Sequence, residues 1–345
     1  MKKILFLASL AAVAMTSCTS ESNEYVGDNT PKEIAFMPLA HVPTRTIVEG
    51  VVFPDDQPIY VSAYSIPGTG TPAEYFSNAT FNGTVAAGWT GSKYWPLSPV
   101  TMNFLGITGV PAGNISSFTS AGATITWTHN AADQYDLMYG VGQGTVAYGT
   151  GADINKLVYG NNVSMPFKHA LAQIEFKVAV GSDSYKSNIH INKIVLNGMV
   201  TAATYTLTNS TPTTTGAQSA SGVWALTTTA DTDVPGSTAF ASADMSTTLA
   251  ANGEVVVPCK PDATTFDSFT GFTVYFTMNG SQYTYYYTPS PAEKVLSQGK
   301  KYIYNLTLSL TEIIVAPTVI DWDVDIDGDG IKAGDDDVNV AIPEV

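Results

Sequence analysis

Few residues in this chain have the type and spacing that chemistry needs. Cys18 follows Met1-Lys2-Lys3, an apolar run from Ile4 to Met15, and Thr16-Ser17. A charged start, a short apolar stretch and small residues make a secretory signal, and a stretch of twelve residues is too short to cross a bilayer of about 30 Å as a helix. A Cys at the cleavage point is placed to carry lipid on its sulfur, although Met15 stands where Leu is commoner; an ordinary cleavage site beside an unrelated Cys is the alternative. If Cys18 is consumed as a thioether, Cys259 has no partner within the chain, and core and sheet must supply the stability of the exported protein.

Arg45 is the only arginine, set in Pro43-Thr44-Arg45-Thr46-Ile47. An arginine-specific protease would cut once, giving Thr46 as a new N-terminus. The segment just upstream, Glu33-Ile34-Ala35-Phe36-Met37-Pro38, has strand character with Ile34 and Phe36 on one face. A cut at Arg45 would therefore detach a β-strand.

Near the other end, Asp325-x-Asp327-x-Asp329-Gly330 with Asp336 twelfth in the frame has the spacing of a calcium loop, in which alternate carboxylates converge on one hard cation. Ile331 comes one place early and Asp stands for the bidentate Glu, so a solvated acidic linker is the competing reading. Val338, Val340 and Ile342 then share one face of a terminal strand, which either packs at an edge or is donated to another molecule. The four histidines, His41, His129, His169 and His190, fall in no zinc, deaminase or triad pattern, and there is no Gly-x-Ser-x-Gly elbow. No cofactor is implied, and an enzyme is the disfavoured class.

The elements that must position these residues follow from composition. Only 13% of the 345 residues are charged, against about 25% in ordinary soluble chains. With 29 Gly, 19 Pro and abundant Thr, short strands and turns are favoured over charged amphipathic helices, and the expected class is all-β. The net charge is −15 without a basic cluster, which sets nucleic acid aside as a partner. Strands are expected at Ile59–Tyr64, Thr101–Ile107, Thr124–Thr128, Leu171–Val180, Ile189–Leu196, Ala203–Leu207, Val223–Leu226, Glu254–Val257, Phe272–Met278, Tyr283–Tyr287 and Tyr302–Leu310, a spacing that suggests sandwiches. Asn279-Gly280 predicts a type I′ hairpin. Tyr283, Tyr285 and Tyr287 share a face, better read as packing than as a sugar platform. Gly140–Gly151 reads as a loop, Ser210–Ser221 and Thr227–Thr248 as long exposed connections, and the domain junction is expected near Asn161–Pro166.

Taken together, several segments resemble the fimbrillin family, the lipoprotein pilins of Bacteroidia assembled as type V pili. They are Cys18 in its signal context; Lys93-Tyr94-Trp95-Pro96-Leu97 followed by Met102-Asn103-Phe104; Asp136-Leu137-Met138-Tyr139-Gly140; Phe167-Lys168-His169-Ala170-Leu171-Ala172-Gln173-Ile174-Glu175-Phe176-Lys177-Val178; and Gly299-Lys300-Lys301-Tyr302-Ile303-Tyr304-Asn305-Leu306-Thr307-Leu308. The resemblance implies two transthyretin-like Greek-key β-sandwich domains, export to the outer membrane as a lipoprotein, and display in a surface fimbrium. It divides the chain into a signal peptide (1–17), a lipidated propeptide with a removable strand (18–45), two sandwich domains (46–164 and 165–322), and an acidic tail with a donor strand (323–345). It also implies excision of the N-terminal strand by an arginine-specific protease and refilling of the groove by a neighbouring subunit's C-terminal strand. The partners implied are neighbouring pilin subunits, that protease, the outer membrane through lipid, and an unnamed host or bacterial surface ligand. A stalk subunit is the preferred role. A tip or accessory adhesin, a glycan-binding lipoprotein using tyrosines with Trp89 and Trp95, and a calcium-dependent scaffold are the rivals.

Overall fold

A computed structural model describes residues 31–39, 53–68, 71–132, 134–151, 154, 156–160, 162–210, 218–238, 245–248, 250–258, 269–291 and 293–321. The described chain is almost entirely β, interrupted by 3-10 turns at Ala112–Asn114 and Asp183–Tyr185. No helix among the described residues is long and apolar enough to cross a membrane.

Two hydrophobic cores organise the strands. Around the first run β1 (Glu33–Leu39), β2 (Ile59–Pro67), β3 (Ala73–Thr84), β4 (Gly88–Tyr94), β5 (Val100–Thr108), and, after a pair of strands described below, β8 (Met138–Tyr148), β9 (Leu157–Tyr159) and β10 (Val163–His169). Their order is β10-β1-β4-β3-β2-β5-β8-β9, and β10 pairs with β8 as well, so seven strands close a ring. Two of them change partners along their length. β3 meets β2 through Ala73–Phe81 and β4 through Asn82–Thr84. β10 meets β1 through Val163–Pro166 and β8 through Phe167–His169.

The second core is enclosed by β11 (Leu171–Val180), β12 (Ile189–Asn209), β13 (Ala220–Asp233), β14 (Ala250–Pro258), β15 (Gly271–Met278), β16 (Ser281–Tyr287), β17 (Lys300–Leu308) and β18 (Ile313–Asp321). A hairpin from earlier in the chain, β6 (Ile115–Thr119) and β7 (Gly122–Thr128), joins them by pairing with Ala202–Thr208 of β12. The sheets read β14-β11-β17-β18 and β16-β15-β12-β7-β6, with β13 on β12. The β15–β16 hairpin turns at Asn279 (φ 50°) and Gly280 (φ 77°), the two positive angles that a type I′ turn needs. On β16, Tyr283 stacks on Phe276 while still exposed, the partly buried Tyr287 stacks on Phe272, and Tyr286 stands out to solvent.

Gly140–Gly151 departs from the expected loop, since most of it is strand β8. The reason is steric. Gly140, Gly142 and Gly144 alternate on the face over which β10 and Trp95 pass, and a Cβ there would lie 2.3 Å from the Pro166 carbonyl oxygen, 2.8 Å from that of Ser164, and 2.4 Å from the Trp95 ring. Glycine at period 2 is the strand pattern with one face cut away for a close neighbour. Part of the expected Ser210–Ser221 and Thr227–Thr248 connections is likewise strand, as β13. Ile189–Leu196 and Ala203–Leu207 form one strand, β12. The expected junction near Asn161–Pro166 falls on β10, which is hydrogen-bonded into the first ring through His169.

The chain passes from the first core to the second at β6–β7, returns for β8 to β10, and crosses again at Ala170. Buried indoles fasten both later crossings: Trp127 Nε1 donates to the Tyr135 carbonyl at 2.8 Å, and Trp224 Nε1 to that of Ala170 at 2.7 Å. The crossings also hold each other. The Ala170 N–H donates to the Leu137 carbonyl at 2.9 Å, and His169 Nδ1 lies 3.0 Å from Asp136 Oδ1 with both side chains buried. Glu74 of β3 adds a third tie by accepting from the Ser120 N–H and hydroxyl in the β6–β7 turn, at 3.0 and 3.1 Å.

Gly140→Ala is expected to destabilise the protein by about 1–3 kcal/mol, because the clash is with backbone that cannot step aside. Gly113→Ala, where a Cβ meets nothing within 4 Å, should stay within about 0.5 kcal/mol of the parent in the same urea titration.

Candidate functional site

β1 occupies a slot between β4 and β10. Its first half runs antiparallel to β4, with Glu33 opposite Tyr94, Ala35 opposite Thr90 and Phe36 opposite Trp89. Its second half runs parallel to β10, with Phe36 opposite Val163 and Leu39 opposite Pro166. Phe36 is the residue paired on both sides. Among the described residues, β1 is the only ladder partner of Val163–Pro166.

The alternation of Glu33-Ile34-Ala35-Phe36-Met37-Pro38 sends Ile34, Phe36 and Pro38 inward, and Ile34 and Phe36 are completely buried. The Phe36 ring meets Phe81 of β3 edge-on at 4.8 Å and Phe104 of β5 at 5.0 Å. Trp95 packs edge-on against Phe104 at 5.9 Å, and beneath the slot Phe53 lies between Trp89 and Phe167 at 5.0 and 5.6 Å. Trp89 is fixed by donating its indole N–H to the Gln57 carbonyl at 2.8 Å.

Polar contacts hold the start of β1. The Trp95 N–H donates to the Lys32 carbonyl at 2.9 Å, Lys32 Nζ reaches the Gly160 carbonyl at 3.0 Å, and Glu33 Oε1 accepts from the Ser92 N–H at 2.7 Å. Full burial of an Ile and a Phe contributes about 1.5–3 kcal/mol each. Each ladder hydrogen bond adds about 1 kcal/mol. A domain's whole stability is about 5–15 kcal/mol. The seven residues of β1 thus hold a large share of the first core.

Ile34 and Phe36 lie where the strand pattern upstream of Arg45 places them. Cys18, Arg45, Thr46, Val338, Val340, Ile342 and the carboxylates Asp325, Asp327, Asp329 and Asp336 fall outside the described residues, as does Cys259. Among the described residues no three His, Cys, Asp or Glu side chains come together to hold a metal. Trp89 and Trp95 are 1% and 2% exposed, so neither ring is open to a sugar. Parts of the segments that carry the resemblance do meet at the slot: Tyr94 pairs with Glu33, the Trp95 N–H bonds the Lys32 carbonyl and Phe104 walls the Phe36 ring, while Asp136–Gly140 and Phe167–Ala170 build the crossings beside it. Sequence reasoning missed the wall Val163–Pro166 and the irregularity at Ser92; the period-2 glycines of β8 were the readable sign of a strand crossing close by.

A family model described as fimbrillin-like matches residues 44–322. Among solved structures, a protein assigned to cell adhesion from Bacteroides ovatus is 15% identical with a TM-score of 0.48, over 85% of this chain and 99% of that one. A second such protein, from Bacteroides uniformis, is 16% identical with a TM-score of 0.45, over 84% and 98%. The tip fimbrial protein Mfa3 from Porphyromonas gingivalis, truncated at its C-terminus, is 12% identical with a TM-score of 0.40, over 78% and 95%. No curated protein matches the chain.

Phe36→Ala in the uncleaved chain should cost about 3–5 kcal/mol of stability, as a buried ring leaves a cavity between Phe81 and Phe104. Met37→Ala, on the outward face of the same strand, should cost less than about 1 kcal/mol, both measured by denaturant unfolding.

Proposed function

The chain belongs to the fimbrillin-like family and is a fimbrial subunit, and from that premise we propose that it is a stalk subunit in which β1 is a placeholder for a strand of the next subunit. In this reading Cys18 carries lipid to the outer membrane, an arginine-specific protease cuts after Arg45, and Thr46 becomes the N-terminus. The C-terminal strand of a neighbour, with Val338, Val340 and Ile342 inward, then enters the slot.

The observation that carries this reading is the seat of β1. It ends at Leu39, six residues before the only arginine, yet it supplies two fully buried side chains and closes the strand ring. A strand so placed is cut off by a single cleavage, and its loss leaves unpaired edges on β4 and β10 over an open apolar pocket. Both defects are repaired by an incoming strand, through main-chain hydrogen bonds and alternate side chains. Contacts of this head-to-tail kind do not close on themselves and grow filaments. A non-enzymatic, structural role fits a molecule in which the buried His169–Asp136 pair ties two chain crossings together.

Arg45→Ala is expected to leave the precursor intact and abolish polymer ladders on gels, whereas removal of residues 338–345 should permit cleavage, with Thr46 found by N-terminal sequencing, but stop growth. Normal ladders from either variant would contradict the corresponding step.

A further inference from the structure

If β1 is a placeholder, its seat states what a replacement must carry. On that reading we infer that the slot reads an incoming strand at two points: a carboxylate one residue ahead of the first inward side chain, and an aromatic ring at the second inward position. The preferred occupant is a strand of a partner subunit with the order acidic, aliphatic, any residue, aromatic.

The first point is the irregularity in β4. Between Glu33 and Ala35 lies one residue of β1, whereas between their partners Tyr94 and Thr90 lie Gly91, Ser92 and Lys93. The surplus is taken up as a bulge in which Ser92 has φ 53°, a left-handed angle rarely adopted by residues other than glycine. That turn presents the Ser92 N–H to Glu33 Oε1 at 2.7 Å, a charge-assisted bond at one position of the slot. A strand slipped by one residue would turn its apolar side chains outward. A strand slipped by two would put its acid out of reach of Ser92. The carboxylate therefore marks the register.

The second point is the pocket of Phe36. Its walls, Phe81 and Phe104, come from β3 and β5 and are themselves backed by Phe76 at 6.1 and 6.4 Å, so the pocket belongs to the ring and not to β1. Edge-on packing on two sides suits another ring and leaves a shorter side chain underpacked.

The chain's own tail meets one requirement. Asp337-Val338-Asn339-Val340-Ala341-Ile342 aligns with Glu33-Ile34-Ala35-Phe36-Met37-Pro38, acid on acid and apolar on apolar, but Val340 stands where the slot holds Phe36. The resident strand is thus the better ligand, and the tail of a second copy gains the slot only after β1 has been cut free. A partner strand with Phe or Tyr at that place outranks it.

The test uses the full chain cut at Arg45, with a fluorescent peptide of residues 31–39 as the probe and unlabelled peptides as competitors. The competitors are residues 336–345, the same peptide with Val340→Phe, and the Val340→Phe peptide with Asp337→Asn. Val340→Phe should compete about tenfold better than the natural tail, and Asp337→Asn should lose a severalfold part of that gain. Equal competition by the natural and Val340→Phe peptides would overturn the aromatic pocket, and indifference to Asp337→Asn would overturn the register mark. Failure of the 31–39 probe itself to bind would instead remove the placeholder reading on which both depend.

Discussion

Phe36 is the residue at which the ladders to β4 and to β10 overlap, and the integrity of the first core depends on that double pairing. A strand bonded along one edge could peel away and leave a closed sheet behind. β1 cannot, because its two halves serve different neighbours and removing it opens the ring between them. The side chains concerned, Ile34 and Phe36, contribute roughly 3–6 kcal/mol together, comparable with the net stability of a small domain. A ring deprived of its strand would therefore be near the limit of remaining folded.

The strand that forms one wall of the slot also reaches the connection between the cores. β10 begins at Val163, paired with β1, and ends at His169, which holds Asp136 in the crossing that leads into β8. Ala170, next in sequence, is fixed by Leu137 and by the Trp224 indole. Occupancy of the slot and rigidity of the connection thus share one short strand. On the proposed reading, in which a neighbour's strand fills the slot, load entering through that strand would pass into β10 and from there, through Ala170, into β11 of the second core.

Much of this was legible from residue patterns alone. The alternation at Ile34 and Phe36, the Asn279-Gly280 turn and the run Leu171–Val180 state their strands locally, because the same residues set both the face and the turn. What was missed depends on partners distant in sequence. Gly140, Gly142 and Gly144 look like a flexible loop until β10 is seen lying on them. β4 contains Gly88, Gly91 and a left-handed Ser92, so its pattern is broken by the bulge that receives Glu33. The attachment of β6–β7 to β12 is a pairing over some 80 residues, and no local signal announces it. The tryptophans carried an ambiguous signal as well. Trp89 and Trp95 suit a sugar platform in composition, and only their burial decides that they are lining of the slot.

The central claim, that β1 completes a core it can be made to leave, is tested most directly by amide hydrogen exchange on the full chain before and after cleavage at Arg45. Before cleavage the amides of Gly88–Tyr94 and Val163–Met165 should exchange slowly. Once the N-terminal fragment is cut free and washed away they should exchange rapidly, and protection should return on adding a peptide of residues 31–39, with Ile189–Asn197 and Gly271–Met278 unchanged throughout. Unaltered protection of both slot walls after the fragment is gone would contradict the account.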